Sequence, residues 1–288
     1  MPPMDYVSLA PSPEEIAADA LTAENLERAR NAVNDDGMVV LEGIVAVEHL
    51  DALKARMLED LQSILARPDA PFNFNRGNVQ QDPPPFAPYL FEDVLLNPIV
   101  GQVTASVLGK GAYNAFYSGN TALPNGERQP VHPDMGQLWP RMRHASPAFA
   151  LVVNVPVVDV SPQNGSTELW PETHLDVRYD ISEGAGRVEQ AHLDEWRAKR
   201  PPFQPTMKRG SVLIRDMRMW HAGMPNHTDE PRPMIAMIHW VPWWNTGETI
   251  PFPKSAEPFF ANAPFRTNAR FVEGEVDYLK HGEAYDVR

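Results

Sequence analysis

A β-sandwich or barrel core with helices packed on one side is the fold class this sequence predicts, and three observations predict it. Helical periodicity dominates the first hundred residues. From Ala112 onward the chain instead runs through "AYNAFYSGN", "PAFALVVNVPVVDV", "GSVLIRD" and "RPMIAMIHWVPWW", segments rich in β-branched, aromatic and apolar residues and punctuated by Pro, Gly and Asn. Thirty prolines would break a helical bundle but are accommodated in the loops and edges of a β core.

In chain order, Ser12, Pro13 and Glu15 make a capping box with proline at the first helical position, which predicts a helix start. "DDGMVVLEG" is a short apolar run between turn residues and predicts a buried strand over Met38 to Leu41. Leu50, Leu53, Met57, Leu61 and Ile64 recur at intervals of three and four, the apolar stripe of an amphipathic helix. "FNFNRGNVQQDPPP" reads as a polar, proline-rich loop, either plain surface or a lid over a polar substrate. A further helix is expected to begin near "NPIV" and to stop at Gly109. The β-rich segments follow, interrupted by "GRVEQAHLDEWRAKR", a predicted helical insertion. No repeat, low-complexity tract or linker divides the chain. One domain is therefore expected, with helical support over about 1–110, the β core over about 111–245 and a C-terminal extension over 246–288.

Composition narrows the function. With 288 residues and 43% hydrophobic content the chain can bury a substantial core. A formal net charge of -13 argues against nucleic acid as a partner, because tracking a phosphate backbone takes clustered Lys and Arg. The absence of cysteine excludes disulfides, thiolate metal sites and a Cys nucleophile, so any metal must be held by His and carboxylate. "MPPMDYVSLAPSPEE" lacks the basic and apolar regions of a leader, and no apolar run approaches the roughly 18 residues of a membrane span. "YDVR" at the C-terminus is not a peroxisomal or retention address. A cytoplasmic protein acting on a small molecule, with neither nucleic acid nor membrane as partner, is the expectation.

The chemistry concentrates in "QPVHPD". If this segment ends or enters a strand, His132 and Asp134 project from the same face, since side chains two apart return to one side. A further imidazole, His221 in "RDMRMWHAGMPN", follows 89 residues later. Two imidazoles and one carboxylate can bind a metal on one side and leave adjacent positions open, the pattern of non-haem Fe(II) oxygenases. Zinc hydrolases use similar ligand types, so the ligands alone leave the metal open. Arg232, eleven residues after His221 at the head of another apolar strand, bears on that choice. A guanidinium pointing into the barrel needs a carboxylate, and a dicarboxylate cosubstrate would supply one, whereas a zinc hydrolase has no such requirement. Taken singly, each residue has a plainer reading: a surface turn for His132 and Asp134, a core histidine for His221, a surface ion pair for Arg232.

Together, His132-x-Asp134, His221 and Arg232, in this order and with "NGSTELWPETH" between, resemble the phytanoyl-CoA dioxygenase family of Fe(II)- and 2-oxoglutarate-dependent oxygenases. "NVQQDPP", "DVLLNPIV", "YSGN", "QPVH", "GSVLIRDMRMWH" and "RPMIAMIHW" extend the likeness over most of residues 35 to 245, and resemble its kanamycin B dioxygenase branch. The resemblance implies a double-stranded β-helix (jelly-roll, cupin-like) core, and Fe(II), 2-oxoglutarate and O2 as cofactor and cosubstrates. It implies that Arg232 clamps the distal carboxylate of 2-oxoglutarate, with Gln129 and Thr167 helping to hold that molecule. Pro133 and Met135 depart from the branch, which bears on the substrate and leaves the triad intact. Halogenating relatives have a small residue where Asp134 stands, so oxygen insertion or dehydrogenation is expected, and chlorination is not. The rival reading from another class is a cupin-like binding module that keeps a metal without turnover.

The substrate is expected to be a polar, cationic or hydrogen-bonding specialised metabolite near Asn73, Gln80 and Gln81 of the amide-rich segment and near Trp139. An acyl-CoA is not expected, because no basic cluster suits its phosphates. Trp139, Trp220, Trp243 and Trp244 otherwise read as core, since aromatic area is chiefly buried area. His174 reads as shaping a loop, and His239 as a hydrogen-bonded core residue or a pocket wall.

Overall fold

The computed structural model describes residues 6–139, 141–178, 186–280, 282, 284 and 285, and the terminal readings made on residues 1–5 and 286–288 lie outside them. The capping box forms as the sequence predicts. Ser12 Oγ accepts from the Glu15 amide at 3.2 Å and the Glu15 carboxylate accepts from the Ser12 amide at 2.9 Å, opening α1 (Pro13–Ala17). Thr22 caps α2 (Ala23–Asp35), and α3 (Val47–Leu65) buries the predicted Leu50, Leu53, Met57, Leu61 and Ile64. After α4 (Glu92–Leu95), α5 (Pro98–Leu108) starts on the Asn97 side chain, which accepts from the amides of Ile99 and Val100. It stops at Gly109, whose φ of 94° favours glycine. The insertion after the central strands is helical, as α6 (Gln190–Lys199).

The strands are β1 (Ser8–Leu9), β2 (Met38–Leu41), β3 (Phe72–Asn73), β4 (Asn75–Gln80), β5 (Tyr113–Ala122), β6 (Ala150–Pro156), β7 (Glu168–Leu169), β8 (Val212–Asp216), β9 (His221–Ala222), β10 (Arg232–Trp240), β11 (Ile250–Pro253), β12 (Arg266–Thr267) and β13 (Ala269–Val272). Among the described residues nine of them form one sheet in the order β1-β2-β8-β6-β10-β5-β4-β3, with β12 added to β5. A small second sheet pairs β7 with β9 and is extended by bridges from His132 to His221 and from Leu169 to Phe203. This two-layer arrangement, sheet against sheet with helices behind the larger one, is the jelly-roll core.

Alternation along β10 divides the molecule. Ile235 and Met237 join the main apolar cluster with Val33, Leu50, Leu53 and Val103 of the helices, whereas Arg232, Met234, Ala236 and Ile238 face a cavity on the other side. Each fully buried Leu or Met of that cluster contributes about 1.5–3 kcal/mol, so the helices hold the large sheet from behind and leave its inner face for chemistry. Among the described residues no helix is long and apolar enough to cross a membrane.

Two expectations need correction here. "FNFNRGNVQQDPPP" is neither surface loop nor lid over its first half: it is the β3–β4 hairpin, and β4 pairs with β5 through Asn78↔Ala122, Val79↔Thr121 and Gln80↔Asn120. Val79 is fully buried against Leu61 and Ile64, and this apolar anchor seats the strand while Asn78 and Gln80 turn to the cavity. The amides face a polar hollow, which sequence composition cannot tell from solvent. The second correction concerns tryptophan. Trp220 is buried and Trp244 stacks on Trp240 at 6.1 Å, but Trp139 and Trp243 are 59% and 62% exposed. At the turn after β10 Trp244 takes the buried side, which sends its neighbour Trp243 outward.

Candidate metal and cosubstrate centre

His132 reaches the centre from a segment bound to the second sheet. Its amide donates to the His221 carbonyl at 3.0 Å and the His221 amide donates back to the His132 carbonyl at 2.9 Å, so the two histidines are held opposite each other. The Asp134 amide is tied to the Met217 carbonyl at 3.1 Å. Met217 belongs to a turn organised by the fully buried Asp216 carboxylate, which accepts from the backbone amide and the guanidinium of Arg218. That turn separates β8 from β9 and delivers His221.

The ligand atoms of His132, Asp134 and His221 lie within 4.8 Å of one another. Nδ1 of His132 donates to the Pro130 carbonyl at 2.8 Å, and Nδ1 of His221 to the Met219 carbonyl at 3.0 Å, which makes Nε2 of each ring, and not Nδ1, the atom that can ligate. Burial, together with neighbouring His221, pushes the His132 pKa down to about 3, so this imidazole is neutral across the physiological range. Burial works against ionisation of Asp134, yet the Arg215 guanidinium and the two imidazoles outweigh it and hold the carboxyl well below the usual range. Two imidazoles and one carboxylate fit a divalent first-row metal and leave positions for further ligands.

The cavity beside these atoms measures about 320 Å³. Arg232 stands in its wall, 4% exposed. The turn at Pro162–Asn164, closed by Gly165 at φ 75°, presents two carbonyls to it: NH2 donates to Gly165 O at 2.7 Å and Nε to Asn164 O at 3.3 Å. Among the described residues no carboxylate hydrogen-bonds or ion-pairs with it, and burial alone pulls its pKa down to about 10. A buried cation whose described partners are two carbonyls and the Met234 sulfur fits the carboxylate of an incoming ligand.

The other sequence-predicted residues divide. Gln129 and Thr167 line the cavity, and so do Asn73 and Gln80. Gln129 is braced at both ends, accepting from the Gly223 amide at 2.7 Å and donating to Asn73 O at 3.3 Å. The carbonyl oxygen of the Asn73 side chain is buried without a partner among the described residues, available to a ligand. Gln81 does not line the cavity: it turns to the opposite side of the sheet edge, donating to Met57 O and accepting from Thr121 Oγ1. Trp139 is exposed and also does not line it. His239 is core, its Nδ1 3.0 Å from Thr104 Oγ1, and His174 packs under Gly37 with Nε2 bonded to Asn34 O.

Sequence reasoning missed Arg215, Asn120 and Asn154, all of which line the cavity. The signal was a polar residue interrupting an apolar strand, as in "VLIRD" and "ALVVNVP". Arg215 is 6% exposed, and its NH2 donates to Asp134 Oδ2 at 2.7 Å and lies 3.4 Å from His221 Nε2.

A jelly-roll core whose inner face gathers two histidines, a carboxylate and a buried arginine defines the non-haem metal oxygenase class. Within it, the chain belongs to the phytanoyl-CoA dioxygenase (PhyH) family, which it matches over residues 33–234, and this family uses Fe(II) and 2-oxoglutarate. Solved structures share the fold. AviO1 from Streptomyces viridochromogenes Tue57 is 20% identical with a TM-score of 0.57 over 76% of this chain and 96% of its own. The epimerase SnoN, crystallised with Fe3+, alpha-ketoglutarate and nogalamycin RO, is 17% identical with a TM-score of 0.58 over 76% and 84%. The carbocyclase SnoK from nogalamycin biosynthesis is 20% identical with a TM-score of 0.56 over 76% and 86%.

Proposed function

We propose that this protein is an Fe(II)- and 2-oxoglutarate-dependent dioxygenase that oxidises a C–H bond of a polar small-molecule specialised metabolite and releases succinate and CO2. The observation that carries the reading is Arg232, a buried guanidinium without a carboxylate partner among the described residues, in the same cavity as the His132–Asp134–His221 cluster. A metal site alone would suit a binder or a hydrolase; the added anion-seeking cation suits a dicarboxylate cosubstrate.

Bound at the triad, iron together with 2-oxoglutarate and O2 supplies the oxidising power, and the protein supplies orientation and a shielded site. His132 and His221 offer Nε2 atoms whose direction is set by the Pro130 and Met219 carbonyls. Asp134 offers a carboxylate that is ionised before the metal arrives. Arg232 takes the distal carboxylate of 2-oxoglutarate, with Thr167 and the braced Gln129 beside it. Because Asp134 fills the ligand position, the expected outcome is hydroxylation or dehydrogenation and not halogenation.

The substrate class rests on the walls. Asn73, Asn78, Gln80, Asn120 and Asn154 give the cavity many hydrogen-bonding groups. An adjoining hollow of about 840 Å³ shares Gln80 and Phe116 with it and carries Asp82, Glu248 and Asp277 on its walls. Such surroundings suit a hydroxylated or cationic molecule. The motifs that resemble the kanamycin B dioxygenase branch favour the same class, as do SnoN and SnoK, which act in the biosynthesis of nogalamycin. The test is to incubate iron-loaded protein with 2-oxoglutarate and panels of aminoglycosides, other polar metabolites and acyl-CoAs, following succinate and product mass. Oxidation of a polar metabolite coupled to succinate is expected. Coupling to a phytanoyl-type CoA ester, or a chlorinated product in chloride buffer, overturns the substrate reading.

A further inference from the structure

Arg215 is a second buried guanidinium in the cavity, and its contacts engage the metal ligands themselves. It comes from β8, where Leu213 and Arg215 flank Ile214 of the apolar core, and it pairs across the sheet with Val152 on β6, which faces the cavity beside it. NH2 donates to Asp134 Oδ2 at 2.7 Å and lies 3.4 Å from His221 Nε2. NH1 is buried and has no hydrogen-bond partner among the described residues.

The chemistry of His221 makes this geometry consequential. Its Nδ1 is committed as donor to the Met219 carbonyl, so Nε2 carries a single lone pair. That lone pair either accepts from Arg215 or ligates a metal; it cannot do both. Asp134 is different, because it has two oxygens. Oδ2 is held by Arg215, whereas Oδ1 faces His221 Nε2 at 3.5 Å. Loading a divalent cation therefore requires Arg215 to withdraw from His221 while it can keep Asp134 Oδ2, which leaves Oδ1 for the metal.

Charge determines what happens next. Arg215 and Arg232 already outnumber Asp134, so a dication entering between them meets an excess of positive charge in a largely buried site. A dianion in the same cavity removes that excess and gives NH1 of Arg215 the acceptor it lacks. Resting on the reading of this cavity as a 2-oxoglutarate site, we infer that Arg215 is a positioning residue that couples the two ligands, weakening metal binding alone and making it depend on the dicarboxylate. The coupling is reciprocal: whatever factor 2-oxoglutarate adds to metal affinity, the metal adds to 2-oxoglutarate affinity.

The test is anaerobic calorimetry of metal-free protein with Mn(II), a redox-stable probe, with and without saturating 2-oxoglutarate, on wild type, Arg215→Met and Arg215→Lys. In wild type, 2-oxoglutarate should tighten Mn(II) binding roughly tenfold or more, within the usual range of coupling between sites. Arg215→Met should bind Mn(II) alone about tenfold more tightly than wild type, and 2-oxoglutarate should then add less than about threefold. Arg215→Lys keeps a cation and should restore most of the coupling. A merely structural arginine predicts the opposite sign, weaker Mn(II) binding in Arg215→Met, and that result, or an unchanged coupling factor, overturns the inference. If 2-oxoglutarate binds to no metal-loaded form, the cosubstrate reading fails instead, and the Mn(II) titrations without 2-oxoglutarate still decide whether Arg215 competes with the metal.

Discussion

Replacing Arg232 with Met keeps much of the side-chain volume and removes the charge. In the native protein Gly165 O and Asn164 O take two of its donors, and the guanidinium is 4% exposed. The remaining donor capacity faces the cavity, where a distal carboxylate would be paired with little solvent to screen it. Removing one partner of a buried, hydrogen-bonded charge pair costs about 2–5 kcal/mol, which is roughly 30-fold to a few thousandfold in affinity. Arg232→Met should therefore raise the dissociation constant of 2-oxoglutarate for the Mn(II)-loaded protein by at least about 30-fold while leaving Mn(II) binding within about threefold. The decisive control is 2-oxovalerate, which keeps the 2-oxo acid and lacks the distal carboxylate. It should bind wild type and Arg232→Met almost equally, so the double cycle isolates the carboxylate–guanidinium pair. Calorimetry on the four combinations measures it. An equal loss for both 2-oxo acids would show that Arg232 merely supports the turn at Asn164–Gly165 and does not pair with the distal carboxylate.

On the proposed ligation by Asp134 at the cavity edge, Asp134→Ala should abolish turnover and weaken Mn(II) binding by at least about a hundredfold with the thermal midpoint little changed; wild-type turnover would show the triad to be misassigned. Gly223→Ala places a Cβ 2.6 Å from Gln129 Oε1, so the amide must swing away from its bonds to Gly223 and Asn73. The expected result is a loss of about fivefold in 2-oxoglutarate affinity, the worth of roughly 1 kcal/mol of hydrogen bonding, in a folded protein, and an unchanged affinity would sever Gln129 from the cosubstrate. Burial lowers His239 to about 3, whereas an unfolded histidine titrates near 6.5. The unfolded chain thus takes up a proton first as pH falls, and the contribution of His239 is complete above about 6.5 and is lost progressively below it. Between pH 7.5 and pH 5 urea denaturation should show His239→Gln losing about 2 kcal/mol less stability than wild type; identical slopes would mean His239 is protonated in the fold.

Much of the architecture was legible because the physical signal is periodic or local. The stripe from Leu50 to Ile64 specifies a helix by spacing alone, Ser12 to Glu15 specifies a helix start by reciprocal hydrogen bonds, and the strand over Met38 to Leu41 was bounded correctly. The candidate cluster was legible because its three ligand types stand in a recognisable order, and the structure gathers their ligand atoms within 4.8 Å. What escaped depends on which way a side chain points. Gln80 and Gln81 are adjacent and chemically identical, yet one faces the cavity and the other hydrogen-bonds Met57 and Thr121, because alternation along the β4 edge sends them to opposite sides. Arg215 in "VLIRD" gave no sign that it would meet Asp134, 81 residues away, since that contact is created by the turn after β8 and not by any local pattern.

The central claim, that His132, Asp134 and His221 bind Fe(II) and that 2-oxoglutarate chelates it in the same cavity, is tested most directly by anaerobic visible spectroscopy of the Fe(II)-loaded protein. Chelation of Fe(II) by a 2-oxo acid produces a metal-to-ligand charge-transfer band. The band should appear in wild type only when both Fe(II) and 2-oxoglutarate are present, should require much higher 2-oxoglutarate in Arg232→Met, and should be absent in Asp134→Ala. No band in wild type, or a band of full intensity in Asp134→Ala, would contradict the assignment.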